Sequence, residues 1–299
     1  MLSVRDQVQS QRLVCPVTHR PLAFAGELLI TDDGSRSYPL IHGVPVLLPD
    51  AQKVAAYLGE ESGRMVAEYQ RPPRRSLVRS GYQRITEAFG DMRTRESEEA
   101  LRASLEDLPD DALCVSVGGG PVRVHPALVN LNLAAFPNVD VVADAYSLPY
   151  AEGSVEAVHC EAVLEHLEFP QQAVAEMYRV LRPGRLAFAA TPFLQVFHGY
   201  PNHFQNFTLA GHRRLFERAG FAVIAAGTCV GPTFALRDLL ANYLAGVLPG
   251  GRIGKMISHL VSLLTLPLLW LDRIANLRPF SHGLASTTFL LARKSVEPA

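Results

Sequence analysis

The stretch VVADAYSLPYAEGSVEAVHCEAVLEHLEFPQQAVAEMYRVLRPG, Val141 to Gly184, decides the fold. An apolar run ends at Asp144, the chain turns through Leu148-Pro149, and a second apolar run begins at Val155. A helical pattern then runs through Gln171 to Leu181 and stops at Arg182-Pro183-Gly184, a glycine just past a helix end being a common stop. Short apolar runs alternating with helical patterns mark a parallel α/β sheet, in which each helix carries the chain back across a face.

The pattern continues on both sides. ALCVSV and LVNLNL precede this stretch, VDVVAD and VEAVHC fall within it, and RLAFAAT, FAVIAAG and STTFLLARK follow, which predicts seven strands. The first run ends in Gly118-Gly119-Gly120-Pro121, where a ligand can approach the backbone because no Cβ intervenes. Only Pro121 to Leu128 and Ala134 to Asn138 separate the first three runs. A parallel crossover normally takes about a dozen residues, so the first two helices should be reduced to a turn or lost.

The remainder of the chain is organised around that sheet. Residues 1–50 are dense in turn-formers and short β-type runs, with Asp33-Gly34 as a hairpin signal, and read as a small β module. Residues 51–108 read as a helical connector broken by Arg71-Pro72-Pro73-Arg74-Arg75, and residues 109–299 as the α/β domain. An apolar helical insertion at about 233–285 separates the last two strands and reads as a lid or core layer, with a membrane-surface contact through 256–271 or a dimer contact as its other uses. Met256 to Leu271 falls short of the ~20 residues needed to cross a bilayer.

Composition bounds the function. Of 299 residues, 48% are hydrophobic and 19% charged, enough for a sizeable core. The formal charge of -1 supplies no field for gathering phosphate backbones, so nucleic acid is not an expected partner. Cys15, Cys114, Cys160 and Cys229 lie far apart, against a disulfide framework. The polar start MLSVRDQVQSQR lacks an apolar secretion segment, which makes the cytoplasm the expected compartment. Oligomeric state is not readable from these features.

The acid-then-Leu-Pro turn, the Leu164-Glu165-His166 segment and the Arg179-Val180-Leu181-Arg182-Pro183-Gly184 helix end, in that order, resemble the class I S-adenosylmethionine-dependent methyltransferases, particularly the type-11 group, over about Ala112 to Lys294. The resemblance implies a Rossmann-like seven-stranded sheet, S-adenosylmethionine as cofactor, and methyl transfer to a small or hydrophobic acceptor. Position by position, it assigns Gly118, Gly119 and Gly120 to the methionine and ribose part of the cofactor. It assigns Asn132 to the ribose, Asp144 with Ala145 to the adenine edge, and Glu161 to the methyl-donor end. Ser116 stands where the family has an acid, Val122 where it has its last glycine, and Asn132 where it has the ribose acid. Those departures favour an alternative, a degenerate homologue that binds a partner without catalysis. A nicotinamide-dependent oxidoreductase fits the glycines alone, but the short first crossover and the Leu-Glu-His segment count against it.

Two further constellations remain. The segment Thr191 to Thr208 resembles the family's His-Gly-Tyr-Pro loop on the acceptor side, with His198 as first and His203 as second candidate base; histidines holding an irregular loop are the structural alternative. Cys15-Pro16-Val17-Thr18, with Gly43-Val44-Pro45, is similar to the small zinc-ribbon-like module that accompanies some methyltransferases. Thr18 replaces its second cysteine, and Cys15, His19 and His42 are too few for a four-ligand structural zinc, so this module is expected to be metal-free and no metal ligand is assigned.

Overall fold

The computed structural model describes residues 1–50, 54, 93–134, 136–198, 202–247 and 252–296. Most of the expected helical connector, 51–92 apart from Val54, lies outside the described residues, as do Gly199, Tyr200 and Pro201 of the acceptor-side loop. The chain begins with α1 (Val4–Gln9) and four short strands, β1 (Leu22–Ala25), β2 (Leu28–Thr31), β3 (Ser37–Ile41) and β4 (Val44–Leu47). Helix α2 (Arg95–Ser104) leads into β5 (Cys114–Val117), β6 (Leu128–Asn132), β7 (Val141–Ala143) and β8 (Val155–Glu161). Then come α3 (Pro170–Val180), β9 (Leu181–Pro192), α4 (Leu209–Arg218) and β10 (Phe221–Val230), the helices α5 (Pro232–Val247) and α6 (Arg252–Leu264), and β11 (Thr287–Lys294).

Strands β5 to β11 form the seven-stranded unit in the order β7-β6-β5-β8-β9-β11-β10. β5 to β9 run parallel, and β11 lies antiparallel between β9 and β10. The central strands are apolar runs without alternation because helices or loops cover both faces, and β8 is buried from Val155 through Cys160. Among the described residues no helix connects β5 to β6 or β6 to β7, as the short crossovers require.

Polar side chains hold those loops in place of helix packing. Arg123 forms a two-pronged pair with Asp140 at 2.7 and 2.9 Å, and Asp140 also accepts from the Asn130 amide at 2.7 Å. Asn130 Nδ2 donates to the Gly120 carbonyl at 2.9 Å, and Asn138 Nδ2 to that of Pro121 at 2.8 Å. Backbone groups that a helix would have satisfied are thereby paired by side chains.

On the other flank α3 supplies a full crossover. Its buried residues Ala173, Val174, Met177 and Val180 face the sheet, while Glu176 and Arg179 grip the Leu-Pro turn. The Leu148 amide donates to Glu176 at 2.8 Å, and Arg179 donates to the Leu148 and Tyr150 carbonyls at 2.9 and 2.8 Å. Arg182 and Arg185 close on Glu156, a carboxylate only 1% exposed, at 2.5 and 2.6 Å. Separate parts of the deciding stretch are therefore one mechanical unit.

The N-terminal β module does not stand apart. β4 pairs in parallel with β7, Val46 opposite Val142 and Leu47 opposite Ala143, extending the sheet to 11 strands. Leu13, Leu22, Leu29 and Tyr38 share one apolar core with Val115, Val141 and Tyr150. The Cys15 sulfur lies 3.0 Å from the Tyr38 hydroxyl and accepts from the Thr18 amide at 3.4 Å, while His19 and His42 are exposed.

Candidate active site

The carboxyl ends of β5 to β9 define one edge of the sheet, where an open α/β fold binds ligands. At the end of β5 the three glycines differ. Gly118 has φ +70°, and a Cβ there would stand 2.3 Å from Val163; a Cβ on Gly119 would stand 1.6 Å from Asn130 Oδ1. At Gly120 a Cβ would meet open space. The first two glycines thus answer to packing within the fold, and the third alone borders free volume.

The expected cofactor residues divide in the same way. Asp144 is 7% exposed at the end of β7, where its Oδ1 accepts from the Tyr146 amide at 3.0 Å and its carbonyl from the Ser147 amide at 3.0 Å. Ala145 is half-buried beside it. Asn132, assigned to the ribose by resemblance, bonds within the fold, where its Nδ2 donates to the Gly119 carbonyl at 3.0 Å and its Oδ1 accepts from the Ala134 amide at 2.9 Å. The side-chain amide is committed to shaping the glycine turn.

Glu161, expected at the methyl-donor end, is likewise engaged. It is paired with Arg93 and lies 3.4 Å from His159 Nε2, while His159 Nδ1 meets the Ser116 hydroxyl at 3.0 Å. Ser116 and His159 face each other in register across β5 and β8. Burial pushes the Glu161 carboxyl up, but the adjacent His159 ring and the hydrogen-bonded Arg93 guanidinium outweigh it and hold the pKa at about 2.

After β8 and β9 the structure assembles a group that spacing along the chain does not reveal. Glu165 and His166 lie in a 3-10 turn after β8, and His198 lies in the loop after β9. Glu165 is 0% exposed; its Oε2 accepts from Thr191 at 3.4 Å, and burial pushes its carboxyl pKa up. Its Oε1 lies 3.7 Å from His166 Nε2 and 3.9 Å from His198 Nε2, beyond hydrogen-bond reach, and has no hydrogen-bond partner among the described residues.

Backbone contacts fix the imidazoles. His166 Nδ1 lies 2.5 Å from the Asn202 carbonyl and His198 Nδ1 lies 3.0 Å from that of Val196; a carbonyl only accepts, so each Nδ1 carries the hydrogen. His203 is different. Its Nδ1 accepts from the His198 amide at 3.2 Å, and its Nε2 donates to Asn206 at 2.7 Å. Both nitrogens of His203 are thus engaged within the loop. Burial of Asp238 on α5 raises its carboxyl pKa.

Residues 122–188 match the family described as "Methyltransferase domain". Over that segment the chain is similar to methyltransferase domains. An uncharacterised chloroplastic methyltransferase of Arabidopsis thaliana is 49% identical over 63 residues, 20% of this chain and 18% of that protein. An uncharacterised 37.1 kDa protein in transposon TN4556 of Streptomyces fradiae is 33% identical over 157 residues, 46% of this chain and 44% of that protein. A Mycolicibacterium smegmatis protein named "Probable S-adenosylmethionine-dependent methyltransferase" is 35% identical over 97 residues, 30% of this chain and 38% of that protein. The chain thus spans less than half the length of each of these relatives.

Proposed function

We propose that this domain binds S-adenosylmethionine along the carboxyl edge of β5 to β8 and transfers its methyl group to a small or hydrophobic acceptor held beside Glu165 and His198. The observation that carries the reading is the convergence of the open face at Gly120, the buried Asp144 and the Glu165–His198 group on one sheet edge. The cofactor supplies a methyl group on a sulfonium. Asp144 and the Ala145 amide recognise the adenine edge, Gly120 lets the ligand approach the backbone, and Asn132 and Glu161 position the walls without touching it.

Methyl transfer is a displacement that depends chiefly on alignment, and an oxygen or nitrogen acceptor also loses a proton. His198 receives that proton in this reading, because its Nε2 accepts no hydrogen bond among the described residues whereas both nitrogens of His203 are engaged. A hydrophobic acceptor, reached at a membrane surface, is supported by the insertion, which leaves Leu236, Tyr243, Met256, Leu264 and Trp270 exposed. No helix among the described residues is long and apolar enough to cross a membrane.

Calorimetry with S-adenosylmethionine and its demethylated product tests the cofactor assignment. Both should bind, and Asp144→Ala should weaken binding by about 1 to 3 kcal/mol. Unchanged affinity in a folded variant removes Asp144 from the site. The internal commitments of Asn132 and Glu161 also suit a non-catalytic homologue, and for a homologue that has lost the cofactor site neither ligand binds.

A further inference from the structure

We infer that Glu165, His166 and His198 form a binding site for a divalent first-row transition cation, with Glu165 Oε1, His166 Nε2 and His198 Nε2 as its three protein ligands. These three atoms all lie within 4.8 Å of one another, and no other set of three His, Cys, Asp or Glu ligands clusters this closely among the described residues. One carboxylate and two imidazoles suit zinc, manganese or ferrous iron, and three protein ligands leave coordination positions for a small molecule.

Two independent features favour a cation over a chance cluster. The first is Glu165 Oε1, a fully buried carboxylate oxygen without a hydrogen-bond partner among the described residues. Removing such an oxygen from water without a replacement is costly, and an ion between it and the two rings would supply the missing contact. The second is the fixing of both rings. Each imidazole gives its Nδ1 hydrogen to a backbone carbonyl, Asn202 for His166 and Val196 for His198, which leaves the Nε2 lone pair towards the carboxylate. Metal-binding histidines are held by just this kind of outer hydrogen bond.

The spacing is close to what a cation demands. With metal–ligand lengths of about 2.0 to 2.2 Å, neighbouring ligand atoms stand roughly 3 to 3.5 Å apart. The separations of 3.7 and 3.9 Å from Oε1 need a few tenths of an ångström of closure, and the one between the two rings, within 4.8 Å, needs the imidazoles to draw together further. His203 stays outside the ligand set because its two nitrogens are engaged, and it steadies His198 from behind through the backbone amide. A cation at this position would occupy the Nε2 lone pair that otherwise receives a proton. In the metal-loaded protein, the cation rather than the imidazole would polarise an acceptor oxygen or nitrogen.

The site itself does not depend on the methyl-transfer reading, and its test needs no turnover. Full-length protein, stripped with a chelator and dialysed, is titrated with Zn²⁺ by calorimetry and with Co²⁺ by visible absorption. One equivalent should bind, with Co²⁺ bands of a nitrogen- and oxygen-ligated ion. His166→Ala and His198→Ala should each weaken binding by more than about tenfold, and His42→Ala, at an exposed position away from the cluster, should leave it unchanged. Circular dichroism confirms that the variants fold, and His166→Ala is the decisive one because it leaves the buried Glu165 in place. Absence of a saturable single site, or undiminished binding in the folded His166→Ala variant, overturns the site. Failure of the methyl-transfer reading would instead show as absent S-adenosylmethionine binding, with the Zn²⁺ titration unaffected.

Discussion

The two flanks of the sheet edge are built by opposite means. On the β5–β7 flank the crossovers are too short for helices, and Arg123, Asn130, Asn132, Asn138 and Asp140 spend their polar groups on the loops. On the β8–β9 flank α3 provides the packing, and Glu165 Oε1 together with two imidazole nitrogens is left without hydrogen bonds among the described residues. A polar group already satisfied inside the fold positions its neighbours; one kept unsatisfied at some cost is available for a ligand. Family position alone would have treated Asn132 and His198 alike, and their hydrogen bonds separate them.

Acid should expose this difference most strongly. His212, in α4 and against Thr288 of β11, is fully buried, and burial lowers its pKa to about 3. An unfolded histidine titrates near 6.5, so this contribution to stability is complete above that pH and falls as the solution is acidified towards 3. The slope is about 1.4 kcal/mol per pH unit, or roughly 3 kcal/mol by pH 4. Glu161, held at about 2, loses its contribution only between the ordinary carboxylate range and that value. Denaturant unfolding at pH 7 and pH 4 should show that His212→Leu removes most of this loss. An equal loss in the variant would assign the acid sensitivity elsewhere and break the comparison.

The glycines offer a sharper cut with a smaller effect. Gly119→Ala forces a Cβ onto Asn130 and should cost about 1 to 3 kcal/mol of stability, as overpacking does. Gly120→Ala meets nothing within 4 Å and should leave the unfolding midpoint unchanged while weakening S-adenosylmethionine binding. Destabilisation at Gly120 equal to that at Gly119 would show that the third glycine also belongs to the scaffold.

The sequence was legible where the physics is local. Strand runs, the helix stopped at Arg182-Pro183-Gly184 and the loss of two crossover helices all follow from periodicity, turn chemistry and chain length. What could not be read was which polar groups would already be paired. Arg93 and Glu161 are distant along the chain, as are Glu165 and His198, and no spacing rule predicts that the first pair neutralises itself while the second pair remains too far apart to bond. The joining of the N-terminal strands to the sheet was hidden for a related reason. The Leu-Pro turn reads as a turn by itself, and only the fold shows Val14 donating to the Pro149 carbonyl at 2.9 Å.

The smallest expected effect tests the comparison at its most exposed point, the assignment of Asn132 to the scaffold. Asn132→Asp restores the acid that the family resemblance places at the ribose. The new carboxylate keeps an acceptor for the Ala134 amide but cannot donate to the Gly119 carbonyl, whose bond at 3.0 Å is lost. Losing one such bond costs about 1 kcal/mol, and the carboxylate then faces a carbonyl oxygen with no hydrogen between them. A small drop in the unfolding midpoint, with S-adenosylmethionine affinity unchanged or lower because the glycine turn has shifted, is the outcome expected of a scaffold residue. A rise in affinity at unchanged stability would mean that the side chain reaches the ribose after all: a charged acceptor bonds a hydroxyl more strongly than an amide, and the gain would appear only if the two groups meet.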